Sequence, residues 1–252
     1  MENTLSVIII TKNEEKNIER TLQSLLWVDE IIIVDSFSTD KTKEIASKYP
    51  LNFIEREWKG FADQKKYALS KATKEWVLAI DADEVVSEEL KIEIQNMLKD
   101  TIQFQAYFIP TKNYFLNKWI RNCGWYPDNH LRFGRRESLF VTDRQVHEGL
   151  DVNSEKGFLK GSLKHYSYNS IHQYFEKFNI YTTLDVEQKI LKKKNKIEWY
   201  NILFSPISQF LRMYIGKSGW KDGVHGFLVS LFSSFYTLVV YAKAWEKINS
   251  KK

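Results

Sequence analysis

Runs of consecutive apolar residues, each closed by polar ones, punctuate the first hundred positions of the chain. Residues 5–10 (LSVIII) and 30–34 (EIIIV) are rich in β-branched side chains, and 76–80 (WVLAI) is a third such run. Each is too short for an independent helix and reads as a strand buried on both faces. Residues 52–56 form a weaker strand of the same kind. Between these runs the apolar positions fall at helical spacing instead. Ile18, Leu22, Leu25 and Leu26 share one face, as do Phe61, Tyr67, Ala68 and Ala72, and residues 41–48 predict a further helix. Ser87 is placed to cap a helix through Leu98 that sets Leu90, Ile94, Met97 and Leu98 on one side. Strands alternating with helices predict an α/β fold: a mostly parallel sheet, helices on both faces, right-handed crossovers.

Beyond Lys99 the pattern changes. Residues 105–110 and 130–133 read as strands separated by an aromatic loop with Tyr114, Phe115, Trp119, Trp125 and Tyr126, and 138–141 and 159–164 add short strand candidates. From Ser170 the pattern turns helical, with Ile171, Tyr174, Phe175, Phe178 and Tyr181 on one face. A second helix is expected over 201–215, kinked or restarted at Pro206. Residues 223–242 contain no Asp, Glu, Lys or Arg, and Trp220 and Trp245 flank them. That length suits a membrane span, a helix lying in a membrane surface, or a packing helix, and the interspersed Ser, Gly and Tyr favour the second. The expected division is 1–165 for the catalytic domain, with a nucleotide-binding half (1–100) and an acceptor half (101–165), followed by a helical region, 166–252.

Composition narrows the setting. The 252 residues are 43% hydrophobic and 27% charged, which is a globular balance. The net charge is +5, with much of the excess late in the chain, at 189–196 and at Lys251 and Lys252. A basic surface suits anionic lipid, a phosphorylated acceptor or nucleic acid, and charge alone does not choose. Cys123 is the single cysteine, so no intrachain disulfide can form. Residues 1–6 run straight into a strand, and no secretory leader is expected from them.

The candidate chemistry lies where the strands end. Open α/β sheets bind ligands beyond the carboxyl ends of their strands. There the sequence sets Thr11, Asn13 and Glu14 after the first strand and Asp35 after the second, with Lys65 in the third crossover and Asp81, Asp83 and Glu84 after the fourth. Asp35 can accept from ribose hydroxyls or a base edge, and Lys65 can neutralise a diphosphate as a point charge. An Asp-x-Asp sequence suits a hard divalent ion that keeps waters and takes phosphate oxygens. Crowded carboxylates are comfortable only in water or around a cation. Taken singly, each residue is more simply a loop acid or a solvated lysine. Together, at the ends of successive strands, they suit a nucleotide. No G-x-G-x-x-G or Walker lysine follows the first strand, which argues against dinucleotide and P-loop chemistry.

Four blocks, SVIIITKNEE, EIIIVDSFSTDKT, GFADQKKYALSKA and WVLAIDADE, occur in an order and spacing that resemble a family 2 glycosyltransferase with the GT-A fold. They cover roughly residues 3–98. HLRFGRR and VHEGL further on are similar to the branch that includes lipopolysaccharide core β-glucosyltransferases. The resemblance implies that the Thr11–Glu14 loop, Asp35 and Asp81 hold the nucleoside of a nucleotide sugar, and that Asp83 ligates Mn²⁺ or Mg²⁺. Lys65 stands where many members carry an arginine. Many members also have a Glu-Asp pair that supplies the base. That pair is absent, and Glu148 with His147 stands at about the expected distance. His165 is a further candidate ligand for metal or phosphate, and Trp125 and Tyr126 can stack on a sugar or fill a core.

The implied reaction is one in-line displacement that inverts the anomeric carbon, with a glycolipid or lipopolysaccharide core as acceptor. The implied setting is the inner face of the cytoplasmic membrane, with no nucleic-acid partner. Two alternatives remain. A metal-dependent nucleotidyltransferase would show a Gly/Arg/Lys-rich phosphate loop after the first strand, which TKNEE is not. A non-catalytic nucleotide-sugar or anionic-surface binding module would bind without turnover.

Overall fold

The computed structural model describes residues 3–100, 102–142, 149–193 and 196–250, and the chain falls into two compact units. The first comprises 1–112 and 128–166, the second 113–127 and 167–252. The segment Asn113–Pro127, grouped by sequence with the acceptor half, clusters with the helical unit.

In the first unit β1 (Leu5–Thr11), β2 (Glu30–Asp35), β3 (Asn52–Glu55) and β4 (Trp76–Asp81) form a parallel layer in the order β3-β2-β1-β4. The long apolar runs lie centrally because both faces of those strands are covered. Val7 and Ile9 pack with Ile31, Ile33, Leu78 and Ile80 on one side, while Ile8, Ile32, Val34, Val77 and Ala79 face the other. On the first side lie α1 (Ile18–Gln23), α2 (Thr42–Ala46) and α4 (Glu88–Lys99), through Leu22, Ala46, Leu90 and Ile94. On the second lies α3 (Phe61–Lys71), through Ala68. The Ser87 hydroxyl accepts from the Leu90 N–H, the expected cap of α4. Helix α1 ends at Gln23 rather than at Leu26, which is 64% exposed. A short strand that the sequence pattern did not reveal, β5 (Glu84–Val86), follows the acidic cluster directly.

The sheet then continues antiparallel. β6 (Ala106–Phe115) reaches further than its apolar start, and β7 (Lys118–Trp119) pairs with its far end. β8 (Asp128–Arg135) lies between β4 and β6, antiparallel to both. A small pair, β9 (Phe140–Val141) and β10 (Leu150–Asp151), is separate, and β11 (Lys156–Phe158) runs parallel to β6. β12 (Leu163–Tyr168) closes the order by pairing with β5. Of residues 159–164, expected as strand, 163 and 164 begin β12 and 159–162 supply the turn into it, where Gly161 passes so close to Leu90 that a Cβ would lie 2.3 Å from its Cα. This mixed, mostly parallel sheet with flanking helices and a helical C-terminal region is the GT-A architecture that the sequence implied.

The second unit is built on α5 (Ile171–Lys192), α6 (Trp199–Leu211) and α7 (Gly223–Asn249). Helix α6 runs on through Pro206 instead of restarting there, continues as a π-turn over Arg212–Gly216, and uses the Pro206 carbonyl to accept from the Ser234 hydroxyl of α7. Phe115 is fully buried in the aromatic core of this unit, with Tyr174 and Phe232 edge-on to it. Trp125 packs against the same ring. The turn into α7 is tight. A Cβ on Gly226 would lie 1.9 Å from the Gly219 carbonyl oxygen, and one on Gly219 would lie 2.7 Å from Cys123 Sγ. Backbone cannot yield as a side-chain end can. Gly226→Ala is therefore expected to cost about 1–3 kcal/mol and to lower Tm by several degrees. An unchanged thermal melt would contradict this packing.

Candidate active site

Register brings the strand ends to one rim. Along β1, Thr11 is opposite Asp35 of β2, and Ile10 is opposite Asp81 of β4. The first two loops are tied together by their own polar groups. The Asn13 N–H donates to Ser38 Oγ, and Asn13 Oδ1 accepts from the Thr39 N–H, both at 2.8 Å. The Glu14 N–H donates to Thr42 Oγ1, and Glu14 Oε2 accepts from Asn17 Nδ2. Asn13 adopts a left-handed φ of 55°, a conformation that asparagine tolerates better than most residues. Asp35 is fully buried, and its two oxygens accept from the Ser38 N–H and hydroxyl at 2.7 and 2.5 Å. Its carboxylate therefore shapes the loop. By contrast Thr11 Oγ1 is buried without a protein partner, an unmet hydrogen-bonding group on the same rim.

The acidic cluster after β4 divides into two systems. Asp81 and Glu84 share one guanidinium: an Arg132 amino nitrogen donates to Asp81 Oδ2 at 2.8 Å and to Glu84 Oε1 at 2.9 Å. The Asp81 N–H closes the turn on Glu84 Oε2, also at 2.8 Å. Lys65 approaches the other Asp81 oxygen at 3.7 Å. Burial would raise the Asp81 pKa, but Arg132 and then Lys65 outweigh it, so the carboxyl is held far below the ordinary range. Glu84 is 1% exposed, and burial pushes it upward despite Arg132. Burial works against the Arg132 cation, yet Asp81 and Glu84 prevail and raise its pKa further.

Asp83 faces a different partner. Its Oδ2 lies 3.3 Å from His165 Nε2, and its main-chain oxygen accepts from the Tyr166 N–H at 3.0 Å. Pairing of β12 with β5 delivers that histidine, with His165 opposite Glu84. Burial would lower the His165 pKa, but Asp83 and its neighbouring acids raise it to about 9, so the ring is an imidazolium at neutral pH. Arg20 of α1 stacks 3.8 Å over the Tyr166 ring and contributes positive charge toward Asp83 and Glu14.

The structure thus sets Thr11, Asn13, Glu14, Asp35, Asp81 and Asp83 at or just beyond the ends of β1, β2 and β4, with Lys65 reaching Asp81 from α3 and His165 reaching Asp83 from within β12. Glu148 and His147 lie outside the described residues. Sequence reasoning missed Arg132, Glu84 as its buried partner, and Arg20. Arg132 sits inside the HLRFGRR block, but no spacing rule links it to a carboxylate 51 residues earlier. The crowded acids were expected to need water or an added cation, and for Asp81 and Glu84 the protein supplies the cation itself. Among the described residues no three His, Cys, Asp or Glu side chains form a ready-made metal cage. Asp83 Oδ2 and His165 Nε2, 3.3 Å apart, would nevertheless be two donors to one ion once the ring gave up its proton.

The sequence pattern described as Glycosyl transferase family 2 matches residues 6–150, more than half of the chain. The lipopolysaccharide core biosynthesis glycosyltransferase LpsC of Rhizobium meliloti is 29% identical over 255 residues, covering 96% of this chain and 92% of that protein. An uncharacterized glycosyltransferase of Rickettsia typhi is 31% identical over 257 residues, covering 96% and 87%. Among solved structures, residues 1–349 of TarS from S. aureus in complex with UDP superpose with a TM-score of 0.49 at 17% identity, covering 99% of this chain and 92% of that one.

Proposed function

The chain belongs to glycosyl transferase family 2, and we propose that it transfers a hexose, with glucose the first to test, from a UDP-sugar to a glycolipid or lipopolysaccharide core acceptor. The observation that carries this reading is the rim itself: Asp81 and Lys65 beside the β1 and β2 loops, with Asp83 and His165 next to them. The name and near full-length alignment of the Rhizobium relative support the acceptor class. The proposed setting is cytoplasmic, at the inner face of the cytoplasmic membrane, where such an acceptor is met from the side of the nucleotide sugar. The proposed division of labour follows the sequence: catalysis in 1–165 and a helical, membrane-associated region in 166–252.

Each group has a role in that reading. The Thr11–Glu14 loop and the rim near Asp35 receive the nucleoside, and the unpartnered Thr11 Oγ1 is a natural contact for it. Asp81, kept ionised by Arg132 and Lys65, accepts from the nucleoside's donors, while Lys65 adds positive charge beside the diphosphate. Asp83 and His165 would hold Mn²⁺ or Mg²⁺, with phosphate oxygens and water completing its shell. When bound, that ion offsets the charge gathering on the departing diphosphate. Without it, the His165 imidazolium is the positive group that faces Asp83. Glu148, with His147 as its orienting group or the alternate base, is proposed as the base that takes the acceptor's proton, giving a single displacement with inversion.

A thermal-shift screen of nucleotide sugars with and without Mn²⁺, followed by nucleoside diphosphate release, tests the reading. A donor at about a hundred times its Kd stabilises by about 2.7 kcal/mol, which raises Tm by roughly 5–10 °C. That shift is expected for one UDP-sugar and is expected to need the metal. If no nucleotide sugar shifts the melt or is turned over, the transferase reading is lost.

A further inference from the structure

We infer that the exposed face of α6 and α7 is a docking surface for an anionic lipid bilayer, on which the helices lie in the plane of the membrane. The inference deepens the reading of a membrane-bound acceptor and rests on it for its purpose, but its evidence lies wholly within the helical unit.

The face is apolar where a solvated helix pair would be polar. Trp199, Leu203, Ile207 and Leu211 follow one another at four-residue spacing along α6, and all are about half exposed or more. Along α7, Val224, Phe227, Leu231 and Phe235 recur every three or four residues and are likewise exposed, with Trp245 on the same stripe. The two stripes are joined. Phe227 packs edge-on to Phe210 and Tyr214 at 5.9 and 5.8 Å, and an apolar groove of about 350 Å³ opens between Trp199, Leu203, Ile207 and Leu238. A continuous exposed patch of this kind marks an interaction surface.

Charge names the occupant. Between Trp199 and Ala242 the sequence holds a single carboxylate, Asp222. It is buried, and its oxygens accept from the Asn122 N–H at 2.8 Å and more weakly from the Arg121 N–H. The same stretch exposes Arg212, Lys217 and Lys221. The exposed charges of this stretch are thus all cations, with Trp220 at the N-terminal end of α7 and Trp245 near its other end. Aromatic rings at the ends, an apolar stripe and flanking cations are the features that hold a helix at a lipid interface with anionic headgroups. A second copy of this chain would set these cations against one another, with Glu246 beside Trp245 the one exposed acid of α7 to answer them.

The packing also decides how α7 meets the bilayer. By length and composition α7 could cross it. But Tyr236, at the middle of α7, donates to Asp185 Oδ2 of α5 at 2.7 Å, and Lys243 Nζ is held by Asn179, Thr182 and Thr183 of α5. Helix α5 exposes Glu176 and Glu187. A spanning α7 would draw those carboxylates into hydrocarbon, among the costliest of insertions. Lying flat with α5 behind it, α7 keeps them in water.

The test is flotation of the full chain with vesicles of phosphatidylcholine alone and with added phosphatidylglycerol. The wild type is expected to float with the anionic vesicles and to bind them on the order of a hundredfold more tightly, since three cations contribute roughly fivefold each. High salt is expected to weaken the binding. Two exposed-site variants, Leu203→Asp with Ile207→Asp and Arg212→Glu with Lys217→Glu, are expected to remain in the soluble fraction with unchanged circular dichroism. Three results would overturn the inference: no flotation of the wild type, equal flotation of both variants, or retention in the bilayer after alkaline carbonate, which marks a span. A dimer dispersed by Leu203→Asp with Ile207→Asp, without vesicle binding, would give the face to a second copy. Nucleotide-sugar stabilisation, measured on the same samples, separates the two ideas. If it persists without flotation, only the docking surface is lost; if flotation persists without it, only the transferase reading is lost.

Discussion

Asp83→Ala is expected to lower turnover by about a thousandfold while leaving the fold in place. Asp83 is the one acid of the cluster turned toward His165 rather than Arg132, so its removal leaves the buried Arg132–Glu84 pair intact. Its main-chain oxygen accepts from the Tyr166 N–H, and that bond does not depend on the side chain. What is lost is the carboxylate that, in the proposed reaction, helps to hold the ion facing the leaving diphosphate. Such a contribution amounts to several kcal/mol in the transition state, and a factor of a thousand is about 4 kcal/mol. His165 also loses the acid that most raises its pKa, so burial then favours its neutral form. The measurement is nucleoside diphosphate release against Mn²⁺ concentration for wild type, Asp83→Asn and Asp83→Ala, with thermal melts alongside. Turnover within tenfold of wild type, at matched stability, would remove Asp83 from the mechanism.

The strand-end position of Asp83 was legible in the sequence because parallel strands make one prediction unusually firm. Runs such as LSVIII and EIIIV are short, β-branched and apolar at consecutive positions, which a sheet covered on both faces explains, and the residues that close parallel runs then share a rim. The register of Thr11 with Asp35 and Ile10 with Asp81 follows that logic. What the sequence hid is what antiparallel pairing supplies. Glu84–Val86 is three residues long, and beside two aspartates it reads as the end of a loop. Its partner β12 comes more than seventy residues later, so the meeting of His165 with Asp83 depends on a pairing that no local pattern encodes. Asp35 was legible as a strand-end acid, yet the use of both its oxygens by Ser38 depends on a turn whose geometry composition does not fix. Asn113–Pro127 could be read two ways from sequence, and was grouped with the wrong unit, for a related reason. Its aromatics look like a sugar platform, but Phe115 and Trp125 pack with the helical unit's aromatic core.

Arg132→Met is expected to destabilise the first unit strongly. The guanidinium is 12% exposed and bridges Asp81 to Glu84, itself 1% exposed. Methionine keeps much of the apolar length but leaves Glu84 buried beside a second acid with no cation on it. Removing one partner of a buried pair costs about 3–5 kcal/mol, because the remaining charge is stranded rather than returned to water. For a domain of this size that corresponds to a fall in Tm of roughly 6–20 °C. If the loss is stranded charge, Glu84→Gln should restore part of it in the double variant, since an amide can still take a hydrogen bond from the Asp81 N–H. If the loss were only packing, the two changes would add. Arg132→Lys separates charge from shape, because an ammonium keeps the charge but lacks the planar guanidinium whose one amino nitrogen reaches both acids. It is expected to fall between wild type and Arg132→Met. A double-mutant cycle by denaturant unfolding measures the coupling. Additivity within about 0.5 kcal/mol would mean that the Arg132 bridge does not stabilise the acidic end of β4.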